Sequence, residues 1–398
     1  MPTNRRLFFV LALLPGLGAA SYGVMFTVLA DYREKYGITE TTLGFLVSVG
    51  FFTSFFSMLV LSRYADRGYA KQLVVTGGLL TAVGSIGMGF GRTTTALFVA
   101  RVLLGIGAGM LVPAVRRLVI VADPDNMGRN LGMLLSIDVG GFALGPVLSA
   151  VTVDRFGLKF PFLVIAVGVT VALPFVLRFK VTDVPDESVD ASRLGLDLLR
   201  IRPLAGALLI GSALYLMIGT FDALWSFVMR DLDAPNWMAR AGITVFALPL
   251  IVLGPYGGKL VQRVGAFRLG SLGLVTGSFC MFAYGRLPVP WMLLAVGVVH
   301  ALNDGLTVTG MSVAVGQHAP IERAAAAQGL LGATGTLMGG ISALAAGWSY
   351  DRFGRAATYT SATLAMLVLI GGGSLLAGQT SFRTRASTPV HARPEPVA

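Results

Sequence analysis

The chain has 398 residues, of which 55% are hydrophobic and 13% charged, at a mean hydropathy of +0.75. A soluble domain carries about 25% charged residues, so this chain is built for lipid rather than water. Its net charge of +11 would suit nucleic acid in a soluble protein, but positive residues beside apolar spans are topology signals, and the single Cys280 excludes an intramolecular disulfide or a Cys-rich metal site.

The N-terminus resembles a secretory signal, with Arg5 and Arg6 ahead of an apolar run. That run continues to about Ala30 and equally apolar segments follow, so it is read as an uncleaved first helix. Hydropathy and breakers then predict membrane spans at 7–30, 42–62, 72–91, 95–121, 130–153 and 158–179. A polar linker, 180–203, precedes spans at 204–229, 239–261, 267–286, 290–313, 324–349 and 355–378. The Thr/Ser/Arg/Pro-rich tail, 379–398, has the composition of a disordered segment. With both ends on the cytoplasmic side, the inner loops hold about twice as many Lys and Arg as the outer ones, as the positive-inside rule requires. Trp225, Trp237, Trp291 and Trp348 all fall near expected outer ends, as an interfacial belt would.

The fifth span holds GMLLSIDVGGFALGPVLSA, Gly132–Ala150. Each glycine costs a soluble helix about 1 kcal/mol relative to Ala, but in a membrane glycines let helices approach closely and proline-freed carbonyls find other partners. The stretch is therefore expected to bend and pack tightly. Its lone acid, Asp138, is expensive at that depth and so a functional candidate.

The halves repeat. Asp154-Arg155-Phe156-Gly157 recurs 197 residues later as Asp351-Arg352-Phe353-Gly354, and Asp66-Arg67 aligns with Gln262-Arg263 at an offset of 196. Nearly equal offsets at two distant places imply two like-oriented bundles related by an axis along the membrane normal. The expected fold is an all-α membrane protein of 12 transmembrane helices in two pseudo-symmetric six-helix bundles, 1–179 and 204–378.

Three motifs extend this reading. Ser62-Arg63-Tyr64-Ala65-Asp66-Arg67-Gly68-Tyr69-Ala70-Lys71 follows G-x-L-x-D-R-x-G-R-K, keeping the Asp-Arg pair and the Lys. Arg101, Gly105 and Gly107 follow R-x-x-x-G-x-G. Gly132, Gly141, Gly145 and Pro146 follow G-x8-G-x3-G-P-x2-G-G, with Ser149 and Ala150 at the last two glycine positions. On these motifs the chain resembles the major facilitator superfamily over roughly residues 5–380, and within it bacterial drug:proton antiporters of the 12-helix type. The resemblance implies a gate built on Asp66, Arg67 and Lys71, with Asp66 facing the start of the eleventh span near Glu322-Arg323. It ties the Gly141–Gly145–Pro146 pattern to antiport, and it offers Asp31 as an acid that pairs with Arg101.

Read as chemistry, Arg101 lies in an otherwise apolar segment and needs a partner or water, either as a structural ion pair or in a proton or substrate relay. Asp138 is the other candidate partner and the first choice for proton coupling. Burial disfavours its charged form and a nearby Arg favours it, so alternating between such surroundings would load and unload a proton. Asp222 and Asp304 are second-half acids at membrane depth, and His300 lies four residues from Asp304, on one helical face. Asp222 and Asp304, with Arg101 and Asp31, are expected to assist proton coupling, and His300, Asn303, Asp304 and Phe142 are the expected substrate contacts; a purely structural His–Asp bond is the competing reading. Gly105-x-Gly107 follows no strand and no G-x-x-x-x-G-K-[ST] exists, so nucleotide-driven transport is not indicated.

The sequence thus predicts a secondary transporter rather than an enzyme: proton-coupled efflux of drug-like or amphipathic molecules by alternating access, with proton-coupled uptake of a sugar or small metabolite as the alternative. It is expected to need no cofactor and no metal, to meet a small-molecule substrate, protons and membrane lipids but no nucleic acid, and to act as a monomer in a bacterial inner membrane.

Overall fold

A computed structural model of the protein describes residues 5–178 and 195–382. The linker before residue 195, the tail beyond 382 and the side chain of Trp237 lie outside the described residues. The described chain is helical apart from short turns: α1 (Arg5–Tyr36), α2 (Glu40–Tyr64), α3 (Ala70–Phe90), α4 (Thr94–Ala122), α5 (Met127–Phe156), α6 (Lys159–Arg178), α7 (Arg202–Asp231), α8 (Asn236–Val264), α9 (Ala266–Tyr284), α10 (Pro290–Thr307), α11 (Gly310–His318) and α12 (Ala324–Ala377).

Local chemistry explains the boundaries. Thr39 and Thr93 cap α2 and α4 by accepting the amides of Thr42 and Ala96 at 3.3 and 3.2 Å. The expected span 290–313 is broken into α10 and α11 at Val308–Thr309. β-Branched residues beside a glycine are poor helix formers, and the break lays Gly310 against Gly270 of α9. α12 covers two expected spans and turns at Gly354 (φ 76°, ψ 176°). Gly157, its counterpart in the other Asp-Arg-Phe-Gly copy, has φ 82° and ψ 170°, so the repeated motif makes the same glycine-dependent turn twice.

Among the described residues nine stretches are long and apolar enough to cross a membrane. One of them, Thr42–Phe90, has 49 residues and would be roughly 74 Å long if straight. That is over twice the ~30 Å hydrocarbon core, so the chain reverses within it, at the π-helical turn Ala65–Tyr69 where Gly68 takes φ 90°. Pro15, Pro113, Pro146, Pro174, Pro249 and Pro255 all lie inside helices, as membrane helices tolerate. Phe45, Leu144, Val167, Leu344 and Leu375 are exposed on the outer surface. Such a surface would aggregate in water; here it faces acyl chains.

Within the first 178 residues α1 packs on α5 and α6, and α4 on α2 and α3; in the remainder α7 packs on α12, and α10 on α8 and α9. The two regions meet where α5 lies along α8 and where α12 lies along α2 and α4. These contacts gather at the end of the molecule that carries Asp66. There Gly128 and Gly132 press backbone to backbone on Gly258 and Gly254, and Gly329 and Gly332 lie on Met58 and Ser62.

Two expectations are corrected. Trp225 is not part of an exposed belt: it is buried among Phe221, Phe246 and Tyr284, whereas Trp291 and Trp348 are exposed. Within the expected disordered tail, Gln379–Phe382 forms a 3₁₀ turn with the Phe382 ring 5.5 Å from that of Phe267.

Candidate substrate and proton site

A cavity of about 540 Å³ lies where the two regions face each other, walled by α1, α2, α4 and α5 on one side and α7, α8 and α10 on the other. Its size is that of a drug-sized ligand pocket. The wall is mainly apolar and aromatic, with Tyr22, Phe26, Phe51 and Phe142 on one side and Phe221 and Phe246 on the other. Three carboxylates reach it, Asp138 from α5, Asp222 from α7 and Asp304 from α10, and His300 joins them. No Lys, Arg, Asn or Gln is in the described lining.

The acids differ in what holds them. Asp138 and Asp222 have no hydrogen bond or ion pair among the described residues. Asp304 is held: Asn303 Nδ2 donates to its Oδ1 at 3.1 Å, and His300 Nε2 lies 3.5 Å from its Oδ2. The i,i+4 spacing puts His300 and Asp304 on one face, as expected. The imidazole is fixed on its other sides by the Tyr284 hydroxyl, 3.1 Å from Nδ1, and by Met217 Sδ, 3.2 Å from Nε2. Asn303 does not line the cavity. Its amide also donates to the Gly273 carbonyl at 3.0 Å, so it is turned toward α9 and Asp304. Phe142 does line the cavity, edge-on to Phe26 with centroids 6.1 Å apart.

Arg101 is fully buried, yet neither Asp138 nor Asp31 pairs with it. Its Nη2 donates to the Val47 carbonyl at 3.3 Å and its guanidinium lies 3.9 Å from the centre of the Tyr22 ring, over Gly50. Nε and Nη1 have no hydrogen-bond partner among the described residues. A cation–π contact therefore stands where a carboxylate was expected, and Tyr22, which faces the cavity, is the residue through which Arg101 touches it. Asp31 sits in α1 away from the cavity lining. Arg116 and Arg117 lie inside α4, within the expected span 95–121.

At the sealed end, Asp66 is buried and accepts the amides of Ala325 and Ala326, each at 2.8 Å, at the start of α12. Arg117 Nη1 donates to its Oδ1 at 3.1 Å and to the carbonyls of Ile321 and Glu322. Burial pushes the Asp66 carboxyl up to about 7, against the pull of Arg117, the two amides and Arg323. Arg323 in turn pairs with Asp197, in the 3₁₀ turn Leu196–Arg200. Lys71 donates to the Leu177 carbonyl at 2.7 Å, closing the end of α6 within the first region, while Arg67 lies in the π-helical turn beside Asp66. Gly141 and Gly145 press on the backbone of α1 at Gly16 and Gly23, and Pro146 follows them in α5. Gly141 and Gly145 join α5 to α1, whereas Gly132, the first glycine of the pattern, lies in the seam with α8.

The family model described as Major Facilitator Superfamily matches residues 9–239 and 207–398. The chain belongs to the major facilitator superfamily. It is accordingly a multi-pass membrane transporter and not an enzyme. Among relatives of this facilitator chain, the multidrug resistance protein MdtG of Dickeya zeae is 23% identical over 72% of this chain and 73% of that protein. The methyl viologen resistance protein SmvA of Salmonella typhimurium is 23% identical over 68% and 67%. Of solved structures, the human organic anion transporter MFSD10 superposes with a TM-score of 0.80 at 15% identity, over 95% of this chain and 100% of that one. FucP in its outward conformation follows at 0.75 and 16%, over 94% and 98%. These superpositions show the fold.

Proposed function

We propose that the protein is a proton-coupled exporter of amphipathic, cationic drug-like molecules, working by alternating access between two six-helix bundles of 12 spans in all. The observation that carries this is the cavity wall: three carboxylates from both halves, aromatic faces between them, and no Lys or Arg in the described lining. Such a wall attracts an apolar cation and repels an anion. Cation and proton then compete for the same carboxylates, which is the requirement for exchange. Asp138, without a fixed bonding partner, is the coupling acid; Asp222 and the His300–Asp304 pair bind and orient the cation. Arg101 acts through Tyr22.

The bundle reading draws support from the repeated turn at Gly157 and Gly354 and from the reciprocal contacts of α2 with α12 and α8 with α5. The excess of Lys and Arg in the loops on the Asp66 side supports a cytoplasmic position for both termini and the Asp66 end. Export is supported by relatives named for drug and methyl viologen resistance. Sugar uptake is not favoured, because the described lining offers neither Asn nor Gln for hydroxyl groups. The test is transport of a fluorescent aromatic cation by proteoliposomes under an imposed pH gradient. Exchange against protons that stops when the gradient is collapsed is expected. Uptake of a neutral sugar, with no movement of the cation, would overturn the reading.

A further inference from the structure

We propose that Gln262 is a second gate latch, an uncharged counterpart of Asp66 that ties the end of α8 to the start of α5. Gln262 Oε1 accepts the Gly128 amide at 2.6 Å, while Nε2 donates to the carbonyls of Pro124 and Asp125 at 3.3 and 3.0 Å. First-turn amides of a helix have no partner within the helix. One carboxamide therefore satisfies the start of α5 and also binds the turn ahead of it.

The two latches occupy equivalent places. The offset of 196 that relates Asp66 to Gln262 and the offset of 197 that relates the Asp-Arg-Phe-Gly turns together carry the Asp66–Ala325 bond onto Gln262–Gly128. The same offsets carry the Gly329–Met58 contact onto Gly132–Gly254. In both, a polar side chain from the end of one helix caps the first turn of a helix in the other half, and small residues one turn further on bring the backbones together.

Their chemistry differs. Asp66 only accepts, and its bonds include the charged Arg117. Gln262 accepts once and donates twice, which the ionised form of a carboxylate cannot do. An ionised Glu at this position would keep the Gly128 bond but set a negative charge against two carbonyl oxygens. Both latches must part for α5 to leave α8 and α12 to leave α2, yet only one carries a titratable group. The charged groups within a few residues of the latched positions are Asp123, Asp125, Arg129, Lys259 and Arg263, and α11, which packs on α5 and α8, ends in His318.

This inference rests on the reading that the halves separate at this end. Met127 is buried with its side chain against Gly316 of α11, so M127C in a C280A background reports opening through its rate of maleimide labelling in nanodiscs. Q262A is expected to label about 5-fold faster than the parent, on the scale of one lost hydrogen bond of about 1 kcal/mol. Q262E is expected to label fast near pH 8 and to slow reversibly toward pH 5, more steeply than the parent, as its carboxyl gains a proton and can donate again. The pH response within one folded protein separates latching from damage. If D66A labels faster while Q262A matches the parent and Q262E follows the parent's pH profile, Gln262 is not a latch. If D66A is unmoved as well, the halves do not part here and alternating access at this end falls with it.

Discussion

Asp66 and Asp138 are the same residue type in two opposite settings. Asp66 is held, accepting two backbone amides and a guanidinium at the sealed end. Asp138 faces the cavity with no hydrogen bond or ion pair among the described residues. A carboxylate held by three fixed donors holds a structure; one without fixed partners is available to a proton or a cation. The cavity repeats the contrast on a smaller scale, since Asp304 is held by Asn303 and His300 whereas Asp222 has no such net.

The contrast can be broken in order of expected effect. D66A should be the most disruptive, because it strands the buried Arg117 and two amides. Losing one partner of a buried pair costs about 3–5 kcal/mol, so the protein should melt lower in detergent and the Asp66 end should open more often. An unchanged melting temperature would mean that the pair is idle. D138N should cut drug resistance conferred on sensitive cells at least ~10-fold, about 1.4 kcal/mol of function, with little change in melting temperature. The reverse pattern, destabilised but active, would make Asp138 structural. N303A should be milder, weakening cation affinity a few-fold on the scale of one hydrogen bond of about 1 kcal/mol, because Asp304 remains but is no longer oriented. Maximal velocity falling with affinity untouched would contradict that.

The smallest effect is one of pH. The closed arrangement holds the Asp66 proton more tightly than the ordinary value of 3.8, with the carboxyl raised to about 7 by burial. Acid therefore favours the closed end; the contribution is complete below the ordinary value and is lost as pH rises through about 7. Opening at this end, read by labelling, should increase between pH 5 and pH 8 in the parent and lose that slope in D66N. A slope surviving in D66N belongs to another group.

Much of this was legible in the residues. Hydropathy located the helices to within a few residues, and the repeated Asp-Arg-Phe-Gly foretold the paired turns. The Ser62–Lys71 motif, through its family resemblance, pointed Asp66 at the start of α12. Depth along a helix can be counted at ~1.5 Å per residue, so the cavity acids were identifiable as acids at depth. Rotation about the helix axis could not be counted without knowing each neighbour. That is why Arg101 was expected to meet Asp138 or Asp31 and instead lies on Tyr22, and why Asn303 was expected in a cavity from which it is turned away. Arg117 falls within an expected span, and nothing local tells a guanidinium that pairs across a seam from one that faces water. Gln262 was visible only as an aligned position; its role needs the Gly128 amide, 134 residues away.

Proton–cation competition at Asp138 can be measured without a gradient. Purified protein in weakly buffered detergent, carrying a pH indicator, is mixed with an aromatic cation. The wild type should release protons on binding, and D138N should bind the cation while releasing far fewer. Undiminished release from D138N would show that the exchanged proton resides on another group and that Asp138 is not the coupling acid.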